Sequence, residues 1–218
     1  MDDALIDNVQ RLQVMDLPAE FIDPPFENML TLWLCRTPIS PGMVSITGAV
    51  IAGLVAWLFW HGYLVAGALL TFVVEVLDGV DGKLARTRLQ CSKAWQFEHV
   101  LDYFCENAWY VALGVGLSHT TAGGWSYQAA ALLIVSDTVD NILYTLAGKW
   151  YGKSIDLFST FDKSFRRIGG RRNIYCAMFI IGFLLGFPLQ TFIAAAIWAA
   201  VTAAVHFVRL IQFGRSIQ

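Results

Sequence analysis

Between residues 43 and 207 the chain passes through one long apolar run after another, and the connections alternate between short uncharged turns and basic loops. A helix of roughly 20 apolar residues crosses a bilayer, and inside lipid a helix satisfies its own backbone. The runs are 43–60, 63–77, 95–118, 125–150, 174–187 and 188 to about 207. His61-Gly62, residues 119–124 and Pro188 make the near-chargeless turns. Lys83, Arg86, Arg88 and Lys93 surround the second connection, and Lys153, Lys163, Arg166, Arg167, Arg171 and Arg172 fill the fourth. Basic loops stay on the cytosolic side, so the expected fold is an all-α integral membrane protein with six transmembrane helices and both termini in the cytosol. The 56% hydrophobic content agrees with that class, and a net charge of -2 leaves no electrostatic footprint for nucleic acid.

Residues 1–24 are expected to form a cytosolic arm, acidic and without the apolar core of a targeting segment. Asp23-Pro24-Pro25 then signals a helix start. Phe26, Met29, Leu30, Trp33 and Leu34 follow at helical spacing, which predicts an amphipathic juxtamembrane helix over 25–36 lying in the membrane interface. The six-span domain would occupy 37–218. Cys35, Cys91, Cys105 and Cys176 lack metal-ligand spacing and are expected to stay reduced. Trp60, Tyr63, Trp125 and Tyr151 fall at run ends, where aromatic side chains anchor helices at the interface.

Acids crowd at the end of the second run and inside the third. Asp78 and Asp81 close the second, and Glu98, Asp102 and Glu106 recur every fourth residue in the third. A carboxylate at the centre of a span costs about 2.5–3.5 kcal/mol on the insertion scale, so several together require an offsetting charge. Hard divalent cations take carboxylate oxygens, and two helices joined by a short connection could converge on one or two of them. Asp78, Asp81 and Glu98 are the leading ligands. Gly82 and Ala85 continue the face of Asp78 and Asp81 as a smooth surface open to close approach.

These residues resemble the signature of the CDP-alcohol phosphotransferase family, Asp-x-x-Asp-Gly-x-x-Ala-Arg, about eight residues, then Gly-x-x-x-Asp-x-x-x-Asp. Asp78, Asp81, Gly82, Ala85 and Arg86 match the first half at every defined position. A connection one residue shorter than usual aligns Ala94, Glu98 and Asp102 with the second half, which describes an atypical member with Glu in place of the third Asp. Ser40-Pro41-Gly42-Met43-Val44-Ser45 is similar to the Thr-Pro-Asn-x-x-Thr opening common in the family.

The resemblance implies transfer of a substituted phosphate from a CDP-alcohol, most commonly CDP-diacylglycerol, to an alcohol acceptor with release of CMP. It implies Mg2+ or Mn2+, one or two ions, held by Asp78, Asp81, Glu98 and Asp102, with Asp102 also the base. Asp78, Gly82, Ala85 and Arg86 would receive the cytidine diphosphate, with Lys83 as a further source of positive charge. It also implies a homodimer among membrane lipids, an active site facing the cytosol at the plasma (inner) membrane, and a role in phospholipid biosynthesis.

The Arg166 to Arg172 cluster either records the positive-inside bias or cradles the phosphate of an inositol phosphate or glycerol phosphate type of acceptor, with Arg171 and Arg172 the better placed. Glu75 is a further ligand or the partner of a base. Glu106 is a supporting group of the site or a polar contact of the bundle. Asp137 and Asp140 either hold polar partners between helices or line the acceptor pocket. A cation or substrate transporter would also use intramembrane acids, and a membrane prenyltransferase would bind a diphosphate through Asp-rich helices. Neither needs Gly82, Ala85 and Arg86 at fixed offsets from the acids.

Overall fold

A computed structural model describes residues 15–88, 95–119 and 124–217, with side chains throughout except at 95–100, 216 and 217. The described residues are helical and contain no strand: α1 Leu17–Phe21, α2 Asp23–Leu34, α3 Pro41–Trp60, α4 Leu64–Thr87, α5 Trp95–Ser118 and α6 Gly124–Tyr151. After a 3-10 turn at Ile155–Leu157 come α7 Thr160–Arg166, α8 Arg172–Leu184 and α9 Pro188–Ile217.

Local chemistry sets several of the starts. Asp16 accepts from the Ala19 amide at 3.1 Å, and Ser40 accepts from the Met43 amide at 3.3 Å. Pro24 and Pro25 stand in the first turn of α2, where an absent N–H leaves no bond unmade. The helix therefore begins at Asp23 and ends at Leu34, two residues ahead of the expected span at each end.

Its apolar stripe divides: Leu34 is buried with Leu30 packed beside it, and the rest faces outward. Phe26, Met29 and Trp33 are exposed, whereas Asp23, Glu27 and Thr31 are buried against the bundle. That orientation suits an interfacial helix, whose apolar side meets lipid and whose polar side meets protein.

The second apolar run was expected to end at the acids, but α4 carries them and continues to Thr87. Neighbours support this extension. Arg88 donates to the carbonyls of Ile39 at 2.6 Å, Thr37 at 2.8 Å and Leu34 at 3.0 Å, tying the end of α4 to the turn between α2 and α3. The basic stretch between α6 and α8 likewise holds its own short helix. Asp162 of α7 takes both a 2.7 Å bond from Arg209 Nε and one from Arg209 Nη2.

Each of the six longer helices packs on two others, closing a ring in the order α3, α4, α8, α9, α6, α5. All six contribute to the central core, among them Val55, Phe59, Ala68, Leu113, Leu133, Phe179 and Phe192. Glycines allow close approach at Gly116, where an added Cβ would strike the Phe59 backbone carbonyl, and at Gly182, where it would strike the Thr191 side chain.

Pro41–Trp60, Gly124–Tyr151 and Pro188–Arg215 are long and apolar enough to cross a membrane, and Arg172–Leu184 is a shorter apolar helix. The protein is an integral membrane protein with lipid-facing side chains such as Ile46, Val50 and Trp57. The acids of α4 and α5 interrupt what would otherwise be comparable runs.

Asp16 and α1 are fastened to the domain. Arg166 lies 3.7 Å from Asp16, Arg167 pairs with Glu20 at 2.8 Å, and the Leu17 amide donates to the Arg167 carbonyl. Acids early in the chain thus meet bases from the fourth connection. Cys35, Cys105 and Cys176 are free thiols; Cys91 lies outside the described residues.

Candidate active site

Helical spacing brings the acids of α4 and α5 to one place. Asp78 and Asp81 from α4, and Asp102 and Glu106 from α5, line one open cleft. Ser45 from α3 and Arg172 from the first turn of α8 complete its polar wall, while Gly48, Ala49, Ala52 and Trp109 line its apolar depth. Trp109 is fixed there by a 2.8 Å bond from its indole N–H to the Ala52 carbonyl.

Arg172 spans the acidic wall. Its guanidinium is ion-paired with Asp78 and lies 3.2 Å from Glu106, so one cation neutralises acids from both helices. Ser45 donates to Asp81 at 2.7 Å. These contacts orient the carboxylates, and the charge-assisted ones gain strength where water is scarce.

Gly82, Ala85 and Arg86 follow the acids along α4, outside the cleft lining. A Cβ on Gly82 would lie 3.5 Å from the Arg86 guanidinium, so that face is covered by a flexible exposed side chain and not by another helix. Lys83 turns to α2 and meets Glu27 at 2.7 Å. Glu75 is buried beside Cys176, off the cleft lining. The Glu98 side chain, Lys93 and Ala94 lie outside the described residues, although α5 contains the Glu98 backbone.

Arg171 and Arg172 are neighbours in sequence with different surroundings. Arg172 reaches the cleft, whereas the Arg171 guanidinium stacks 4.5 Å over the Tyr144 ring. There it joins a second polar group between α6 and α9. Asp140 meets His206 Nδ1 at 2.5 Å, and Asn141 donates to Asp137 at 3.1 Å. Asp140 thus holds a polar partner on another helix. The His206 contribution escaped the sequence reading, although a lone imidazole inside the last apolar run was a visible signal.

The donor chemistry fits a hard divalent ion. The cleft gathers carboxylates and already takes a cationic side chain among them, which is direct structural support for a demand for positive charge. Among the described residues no three His, Cys, Asp or Glu side chains converge as a ready coordination group. Asp78, Asp81 and Asp102, the expected ligands within the described residues, line the cleft together without forming such a group.

No family model matches the chain. A curated relative, the bifunctional IPC transferase and DIPP synthase of Rubrobacter xylanophilus, is 32% identical over 158 residues. The match takes in 71% of this chain and 33% of the relative, so the chain spans about a third of the length of that protein. Two structures of Mycobacterium tuberculosis phosphatidylinositol phosphate synthase share the fold. The form with CDP-DAG bound has a TM-score of 0.63 at 19% identity, with 84% of this chain and 92% of that one covered. The apo form has a TM-score of 0.54 at 21% identity, with coverages of 86% and 94%.

Proposed function

We propose, for a chain that is of the CDP-alcohol phosphotransferase type in its signature and its fold, that it transfers a substituted phosphate from a CDP-alcohol to an alcohol acceptor and releases CMP. One observation carries this: acids at the signature positions Asp78, Asp81 and Asp102 share a single cleft with Arg172. CDP-diacylglycerol is the donor proposed first, and the cleft's polar mouth and apolar depth suit a nucleotide joined to a lipid. The arginines favour a phosphorylated acceptor of the inositol phosphate or glycerol phosphate type.

The reaction joins the acceptor oxygen to the phosphorus that bears the donor's alcohol and breaks that phosphorus's bond to the bridging oxygen, which leaves with CMP. Asp102, half-buried in the cleft, takes the proton of the attacking hydroxyl. Asp78, Asp81, Glu98 and Asp102 would hold Mg2+ or Mn2+, one or two ions, whose charge neutralises the diphosphate and stabilises the departing phosphate. Gly82 and Ala85 leave the backbone of α4 open to the cytidine side, with Arg86 offering charge to phosphate. Arg172, already in the cleft, is assigned to the acceptor phosphate, and Arg171, which lies over the Tyr144 ring outside the cleft lining, is the second group proposed for it.

We place the six longer helices across the plasma (inner) membrane with both termini and the cleft on the cytosolic side, because the basic connections share that side. A homodimer is proposed from the family resemblance. Residues 1–24 are taken as the arm, 25–36 as the interfacial segment and 37–218 as the catalytic domain.

The test is CMP release from purified protein given Mg2+ or Mn2+, CDP-diacylglycerol or a soluble CDP-polyol, and a panel of free and phosphorylated alcohols. Release that requires both donor and acceptor supports the proposal. No CMP from any pair, with cation flux in liposomes instead, overturns it in favour of a transporter.

A further inference from the structure

Gly79 and Lys83 are four residues apart on α4, so they share a face and lie beside the acids without entering the cleft. That face is covered by α2. Lys83 Nζ is 2.7 Å from Glu27 Oε2 and donates to Asn28 Oδ1 at 2.6 Å, and the ion pair is nearly out of solvent, with side-chain exposures of 5% and 11%. The Glu27 carboxylate also fills the space over Gly79, where a Cβ would fall within it. The two interactions fix both the rotation and the height of α4 against α2. A single hydrophobic contact would leave sliding free, whereas a buried charged pair has one good geometry. Phe26 adds an edge-to-face contact with Phe72, at 5.3 Å between ring centroids.

The opposite face of α2 presents Met29 and Trp33 outward at 67% and 62% exposure. The helix is therefore seated on lipid by one side and locked to the acid-bearing helix by the other. Asp78 immediately precedes Gly79, and Asp81 lies two residues before Lys83. A rotation of α4 that separated Lys83 from Glu27 would swing both carboxylates relative to Asp102 on α5.

We propose that Glu27 and Lys83 are positioning residues of the transferase: their buried pair sets where Asp78 and Asp81 stand in the cleft. The proposal rests on the function argued above. Lys83, though inside the signature segment, serves the reaction from behind the acids and not as a phosphate ligand.

The full chain in lipid nanodiscs tests this with the neutral double variant E27Q/K83M, the charge exchange E27K/K83E, each exchange single, and G79A. G79A displaces the Glu27 carboxylate without altering any charge. The readouts are kcat, donor KM, the Mn2+ concentration for half-maximal CMP release, Mn2+ binding without substrates, and the unfolding midpoint. The neutral double variant and G79A are expected to keep donor KM within about twofold while kcat, normalised to folded protein, falls about tenfold or more, because a small misplacement of reacting groups costs up to about 100-fold. Mn2+ binding should weaken in parallel. The exchange pair should recover most of the activity lost in its singles. Native kcat and Mn2+ binding in the neutral variant or in G79A, or a loss no greater than the unfolded fraction, would overturn the assignment. Absence of CMP release by the native protein would instead remove the proposed reaction, and Mn2+ binding alone would then report whether the pair positions the acids.

Discussion

Arg172 is ion-paired with Asp78 across the cleft, joining the first turn of α8 to the signature helix α4. The same guanidinium meets Glu106 of α5, so the acids of two helices are held by one fork-shaped cation. Its planar geometry can serve two carboxylates at once; an ammonium acts as a point charge. Arg172→Lys is expected to lower kcat about tenfold. Arg172→Gln, which removes the countercharge from both Asp78 and Glu106, should lower it further and raise the KM of a phosphorylated acceptor. Steady-state CMP release measures both, and equal losses of donor and acceptor binding would count against the acceptor role.

Asp81 and Ser45 separate a principal group from its support. Removing the carboxylate in Asp81→Ala should reduce turnover by about 100-fold to 1,000-fold, the scale of losing one preorganised electrostatic contact. Ser45 supplies one 2.7 Å hydrogen bond to that carboxylate. Such a bond contributes about 0.5–1.5 kcal/mol, so Ser45→Ala should cost about twofold to tenfold. The double variant should be no slower than Asp81→Ala, since the hydroxyl acts through the carboxylate.

Gly116 predicts a stability effect away from the cleft. Its added Cβ would meet the backbone carbonyl of Phe59, which cannot swing aside as a side-chain tip can. Gly116→Ala should separate α5 from α3 and destabilise the fold by about 1–3 kcal/mol. Gly53→Ala, where nothing lies within 4 Å of the new methyl, is the matched control. Unfolding midpoints in one detergent distinguish the pair.

Asp23, at the start of the interfacial helix, gives a pH dependence. Burial first, then the negative charges of Glu27 and Asp16, raise its carboxyl from 3.8 to about 6, against the opposing pull of Arg172 and Lys83. A pKa higher in the folded than in the unfolded chain means that folding favours the protonated form. Its contribution is therefore favourable below 3.8, diminishes as pH rises to about 6, and is a constant penalty above that. Asp23→Asn should remove this slope and raise the unfolding midpoint at neutral pH relative to the native protein. Parallel curves for the two proteins from pH 4 to pH 7 would contradict it.

Much of this architecture could be read along the chain. Apolar runs and basic connections located all six longer helices, but the second and sixth continue about ten residues past their runs to Thr87 and Ile217, because a helix persists where polar side chains find partners. Helical spacing likewise put Asp78 beside Asp81 and Asp102 beside Glu106. What the linear order left open was which faces meet. Only packing sent Arg172 to Asp78 and Arg171 to Tyr144, although the two arginines are adjacent, because Arg171 is the extended cap residue and Arg172 the first helical one. Only packing turned Lys83 from the cleft to Glu27, and brought His206 to Asp140. Such contacts join residues far apart in the chain, and their partners are chosen by how helices close into a ring, which no local pattern encodes.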